Sequence, residues 1–344
     1  MVQAFRNERA SKRHIPRILL TLVKEMHHVK LKNELIRFAE NYESKDFSKY
    51  RDPLKAEYEF VLDFLSIIME TLFGIRQAKR IGLAQRVERH RLEYGDYRDH
   101  FIHPFQVFLL GLVMIDSHNA KFKNLMRSQD FGHLEEAWLL ASIFHDILEP
   151  LEHAEWLGED EGLEIGVNFR KWKEILALLA TTYRKCGHKK NKAKQLEQIL
   201  MDRYETAEKN HGVLAALDMI NCISGVNIEK TPRHVATAAQ CVALHDKKIW
   251  NDLVRAGIMP LTIEEDPIAY LLVYCDAVQE WGRPGKKSKE SVGLMGVNMR
   301  KDNVQCVLFF EDAKDATSKL AEIQLVRKHL RATSMKWEIL VTAV

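Results

Sequence analysis

Six residues of this chain pair the chemistry of metal ligands with an apolar setting. The stretch LLASIFHDILEP, residues 139–150, runs apolar through helix formers, then delivers His145 and Asp146 side by side, then Glu149 and a proline. Ionisable groups in apolar surroundings are costly unless they are paired or bind a metal. Upstream, RDHFIHPFQVFLLG supplies His100 and His103 at the start of an apolar helix. Downstream, NHGVLAALDMI puts His211 near a helix start, AAQCVALHD ends a helix with His245, and YLLVYCDAVQEWGR embeds Asp276. Imidazole nitrogens and carboxylate oxygens suit divalent ions such as Mn, Mg, Fe, Ni, Co or Zn, one or two in number. Adjacent His145 and Asp146 could supply one terminal and one bridging ligand. Two ions about 3.5–4 Å apart would activate a bridging water and clamp a phosphoryl oxygen.

Most of the chain that must position these residues reads as helix. Apolar residues recur at three- and four-residue spacing over 16–42 and 53–91, with Asp52-Pro53 as a cap-then-proline start. The same patterns predict helices at about 100–116, 134–148, 168–184, 192–208, 210–223, 232–245 and 267–282. Thr231-Pro232 and Asp266-Pro267 repeat the start signal. A helical bundle can point polar residues from separate helices at one centre. The tail changes character, because NVQCVLFF (303–310) and MKWEILVTAV (335–344) read as strands around a helix at 313–331. The expected class is therefore mainly α, with a helical region over 1–94, a metal-binding helical domain over 95–291 and a small β-α-β appendage over 292–344.

The bulk properties narrow the function classes. The 344 residues are 46% hydrophobic and 29% charged, a composition able to bury a sizeable core. A net charge of +3 does not indicate nucleic acid as a partner. Five scattered cysteines without a CxxC pair suit reduced thiols in a cytoplasmic protein, and they offer no thiolate ligand set. The first apolar run, ILLTLV, is short and closed by Lys24 and Glu25, so no signal peptide is expected. FVLDFLSIIMETLFGI is broken by Asp63 and Glu70, which argues against a membrane span. Long N-terminal helices with apolar faces suggest a homodimer. His118, His133 and His188 fall in polar stretches and are expected to be solvated, whereas Trp138, Trp156 and Trp172 are expected to pack the bundle. HDKK (245–248) reads as a helix C-terminus with favourable cations.

The order His103 … His145-Asp146 … Asp276 resembles the H…HD…D signature of the HD-domain metal-dependent phosphohydrolase superfamily, over roughly residues 96–285. The resemblance implies an HD-domain-like helical bundle in which His103, His145, Asp146 and Asp276 bind the first metal. Two-metal members carry additional histidines between the HD pair and the last Asp, and His211 and His245 occupy suitable places. His103 is preferred to His100 because the family pattern opens its helix with a His followed by an apolar run. Ile147-Leu148 departs from the Ile-Gly common after HD. HDILEP keeps only the Glu of the alarmone-hydrolase HDxxED pattern, and neither a GYP signature nor HDIGH is present. These departures leave the substrate open.

The implied activity is hydrolysis of a nucleotide or related phosphoester. Glu149 stands one helical turn after His145 and is a candidate to orient the attacking water or carry a proton. Glu280, one turn after Asp276, could hold a ligand histidine. Arg98, Lys185, Arg283 and Lys286 are candidate phosphate-binding cations, the last three in or beside the basic stretches RKCGHKKNKAK and GRPGKKSKES. Two other classes fit the same residues. One is a di-iron HD-type oxygenase, and the other is a non-catalytic, metal-containing regulatory protein.

Overall fold

The computed structural model of the protein describes residues 2–4, 29–46, 49–51, 53–73, 102–116, 134–146, 171–205, 210–224, 227–279, 294–300, 303–310, 313–333 and 336–343. Among these it is mainly helical, and the chain divides into two compact units interleaved along the sequence. The first comprises Met1–Lys121, Cys275–Gln324 and Met335–Val344; the second comprises Phe122–Tyr274 and Leu325–Ser334.

The first unit holds helices α1 (Val29–Ser44), α2 (Pro53–Phe73) and α3 (Ile102–Asp116). Phe38 of α1 stacks on Phe64 of α2 with ring centroids 4.0 Å apart and meets Phe105 of α3 edge-on at 5.0 Å. Aromatic pairs add to the area they bury, so this cluster fastens the base from which His103 projects. The strands of this unit are β1 (Val2–Ala4), β3 (Leu294–Arg300), β4 (Asn303–Phe310) and β6 (Lys336–Ala343), paired in the order β1-β3-β4-β6. The β3–β4 pair is antiparallel, and β4–β6 is parallel. Helix α11 (Ala313–His329) lies between β4 and β6 in sequence, as a parallel connection requires. Val304, Cys306 and Leu308 are buried at every second position of β4, the period that put a strand there in the sequence. β3 was not expected. Its LMGVNMR carries a glycine and little β-branching, and pairing with β4 decides it.

The second unit is a helical bundle around α8 (Arg233–His245), whose residues Val235–His245 are all buried. α4 (Leu134–Phe144), α5 (Trp172–Lys185) and α7 (His211–Ser224) pack against it. α6 (Lys190–Glu205) lies on α5, and α9 (Trp250–Arg255) follows α8 through a 3₁₀ turn. A helix with no solvated face shows no amphipathic stripe, which is why α4 reads as an apolar run. Trp138 of α4 is fully buried, and Trp172 stacks on Tyr204 at 4.5 Å; Trp156 lies outside the described residues. A two-residue β2 (Leu261–Thr262) pairs in parallel with β5 (Leu330–Arg331).

α10 (Pro267–Val278) starts where Asp266-Pro267 predicts. Thr231 is a correction: Pro232 holds the N-cap position of α8, and the Thr231 hydroxyl donates to the Ile228 carbonyl at 2.7 Å. The helix expected to reach 148 ends at Phe144, so His145 and Asp146 stand beyond its last turn. Among the described residues no helix is long and apolar enough to cross a membrane. Cys186, Cys241, Cys275 and Cys306 are free thiols. Burial raises the Cys186 thiol to about 11 and those of Cys241 and Cys275 well above their usual value. Protonated thiols of this kind are poor ligands and poor nucleophiles.

Candidate metal centre

In the second unit, α4 and α8 end in the same local device. A helix leaves its last carbonyls without backbone partners. At the end of α4, His145 Nδ1 donates to the Ser142 carbonyl at 2.6 Å. At the end of α8, His245 Nδ1 donates to the Val242 carbonyl at 2.5 Å. Each imidazole spends one nitrogen on a carbonyl three residues back, which fixes the tautomer and leaves Nε2 as the ligating atom. Each histidine is followed by an aspartate. The two aspartates do different things.

Asp246 is 2% exposed and points back at the start of α7. Its Oδ2 lies 3.2 Å from His211 Nδ1 and accepts the Gly212 amide at 3.3 Å; its Oδ1 accepts the Lys248 amide at 2.9 Å. Asn210 caps the same helix, its Oδ1 accepting the Val213 amide at 2.8 Å. Gly212 lets the start of α7 approach α8: a Cβ there would lie 2.8 Å from the Val242 oxygen and 2.9 Å from Asp246 Cβ. The result is that His211 Nε2 faces His245 Nε2 at 3.3 Å.

Asp146 lies among these rings. Its Oδ1 is 3.6 Å from His245 Nε2 and 3.8 Å from His211 Nε2, while its Oδ2 is 3.4 Å from His145 Nε2. One carboxylate oxygen thus faces two imidazoles and the other faces a third. With both Nδ1 atoms committed as donors, the two Nε2 atoms are left facing each other, available to share a proton or to bind a metal. Two ligands on a tetrahedral ion with bonds of about 2.0–2.1 Å are separated by about 3.3–3.4 Å, so the observed spacing fits a metal. Asp146, His211 and His245 each offer a donor atom within 4.8 Å of the other two.

In the first unit, His103 and Asp276 come together. His103 Nε2 lies 3.0 Å from Asp276 Oδ1, and its Nδ1 is held by Gln279 Oε1. Gln279 Nε2 in turn donates to Gln106 Oε1 at 2.5 Å. His103 and Gln279 are fully buried, whereas the Asp276 side chain is 20% exposed. This pair repeats the logic of the second unit: a backing oxygen takes Nδ1–H, and Nε2 faces a carboxylate.

Comparison of the chain with protein-family models, with curated proteins and with solved structures gave no match to any of them.

The structure brings His145, Asp146, His211 and His245 together in one unit, and His103 with Asp276 in the other. Lys185 is exposed at the end of α5. Glu149, Arg98, Arg283, Lys286, Glu280, His100, His118 and His133 lie outside the described residues. His188 is a correction. It is buried, because Gly187, with φ of +100°, ends α5 and turns the chain inward. Three backing residues were missed: Asp246, Gln279 and Gln106. Asp246 had a legible signal, since it makes His245-Asp246 a second HD doublet. Replacing it by Asn removes the carboxylate charge behind His211 and is expected to weaken metal affinity about 10–100-fold with the fold retained. A metal titration of Asp246→Asn alongside wild type, with circular dichroism of both, checks this.

Proposed function

We propose that the protein is a metal-dependent phosphohydrolase with an HD-domain-like helical bundle, acting on a nucleotide or a related phosphoester. The observation that carries the reading is the set of Nδ1-anchored histidines that turn Nε2 toward the two oxygens of Asp146. In this reading His211, His245 and Asp146 hold one divalent ion. His103, His145, Asp146 and Asp276 hold the other, as the ordered sequence signature implies. The bound ions would supply Lewis acidity toward a phosphoryl oxygen and lower the pKa of a water.

The protein's own groups do the rest. Asp146 would offer one oxygen on the side of His211 and His245 and the other on the side of His145. Asp246 and Gln279, with the carbonyls of Ser142 and Val242, hold the imidazoles in the ligating tautomer, so no reorganisation is needed when substrate arrives. Lys185, with Arg98, Arg283 and Lys286, would neutralise phosphate charge on binding, and Glu149 would carry a proton. The strands of residues 294–343 with α11 would form an appendage to this domain.

Elemental analysis of purified full-length protein, followed by a nucleotide and phosphoester panel with the metal found, tests the proposal. Expected are divalent metal in stoichiometric amount and release of phosphate or a phosphorylated product that stops on chelation. Bound metal with no turnover across the panel would assign the site to regulation. Iron, with oxygen consumed in place of hydrolysis, would assign it to oxidation.

A further inference from the structure

Away from the Asp146 cluster, the second unit contains another group of ligating side chains, built by the loop between α5 and α6 and by the start of α10. His188 Nε2 lies 2.9 Å from Asp266 Oδ1, and both side chains are at least nineteen-twentieths buried. Glu265, the neighbouring residue, is exposed at the rim and offers a carboxylate oxygen within 4.8 Å of the other two donors. The His188 ring lies flat on Tyr183, with centroids 3.7 Å apart and planes 3° from parallel. Gly187 puts it there: its φ of +100° is a conformation that side-chain-bearing residues rarely adopt.

Two features set this group apart from an ordinary buried ion pair. The first is charge. One imidazole meets two carboxylates, and the Lys192 charge also acts on Asp266. The second is Tyr183. It is fully buried, and its hydroxyl has no hydrogen-bond partner among the described residues. Buried polar groups nearly always have a partner. The Tyr183 ring lies against that of His188, and burial, with the charges of Asp266 and Glu265, holds its hydroxyl protonated.

We propose that His188, Glu265 and Asp266 form a second, structural site for a divalent first-row ion such as zinc or manganese, beside the unpartnered Tyr183 hydroxyl whose ring stacks on His188. The spacing admits it. The three donor atoms lie within 4.8 Å of one another, and His188 Nε2 and Asp266 Oδ1, hydrogen-bonded at 2.9 Å, would part by a few tenths of an ångström, to about 3.3–3.4 Å, to flank a tetrahedral ion. An imidazole and two carboxylates are a donor set for zinc or manganese, and the absence of a thiolate disfavours copper(I). The ion would fasten the turn after α5 to the start of α10, closing the bundle on the side of the basic RKCGHKKNKAK stretch.

The test is metal stoichiometry in full-length variants after dialysis against zinc, with the visible spectrum of the cobalt-substituted protein as a second readout. Glu265→Gln is the decisive variant, because Glu265 is exposed and the His188–Asp266 pair survives its replacement. Both Glu265→Gln and His188→Ala are expected to bind one equivalent fewer than wild type and to lose the same cobalt bands. Asp146→Ala is expected to keep those bands, which separates this site from the cluster around Asp146 whatever that cluster binds. Wild-type zinc content and an unchanged cobalt spectrum in a folded Glu265→Gln protein would overturn the proposal. So would a wild-type protein whose zinc content is fully removed by substitutions at Asp146, His211 and His245.

Discussion

Asp146→Ala is expected to strip the protein of most of its tightly bound divalent metal and to lower phosphoester turnover by at least about a thousandfold, or about 4 kcal/mol of transition-state stabilisation. The size of the effect follows from position. Asp146 Oδ1 faces His211 and His245, and its Oδ2 faces His145. Its loss therefore removes the carboxylate that all three imidazoles face. The Asp246 carboxylate remains behind His211 but lies on its Nδ1 side, away from the ligating nitrogens. Metal content by elemental analysis and initial rates on the best substrate of the panel are the measurements, with circular dichroism confirming the fold. A metal-replete Asp146→Ala protein with wild-type rates would sink the mechanism. Conservative Asp146→Glu is expected to recover part of the metal, since it restores the charge but lengthens the reach.

Gly212→Ala is expected to destabilise the fold by about 1–3 kcal/mol and to weaken metal binding at least about tenfold. Helix propensity pulls the other way: alanine in place of glycine inside a helix should contribute up to about 1 kcal/mol. The contact outweighs that gain. The added methyl would lie 2.8 Å from the Val242 oxygen, a backbone atom inside α8, and 2.9 Å from Asp246 Cβ. Neither is the end of a flexible side chain that could move aside. The same Val242 carbonyl holds His245 Nδ1, and the same Asp246 holds His211. Separating α7 from α8 therefore moves two ligands. Denaturant unfolding and a metal titration, run side by side with wild type, test both halves. A variant as stable as wild type with unchanged affinity would show that the two helices have room to spare.

Much of this arrangement was written locally. A histidine at a helix end followed by an acid is visible as a string, and the carbonyl that fixes its tautomer lies three residues back, inside the same turn. His145 and His245 could be singled out as polar residues closing apolar runs, and the Asp266-Pro267 start and the strand over 303–310 could be read directly. Apolar composition sufficed for α4 as a buried helix. Local sequence was silent wherever a partner comes from elsewhere in the chain. His188 looked solvated because its neighbours are Lys and Gly, yet Asp266, 78 residues away, and the Tyr183 ring decide its burial. Strand β3 exists because β4 pairs with it, not because LMGVNMR favours a strand. The two His-Asp doublets are alike in one dimension and opposite in role. Asp146 turns toward the Nε2 atoms, whereas Asp246 turns toward a Nδ1 and the start of α7. Only the packing of α7 on α8, permitted by the missing side chain of Gly212, separates a ligand from the group that holds one.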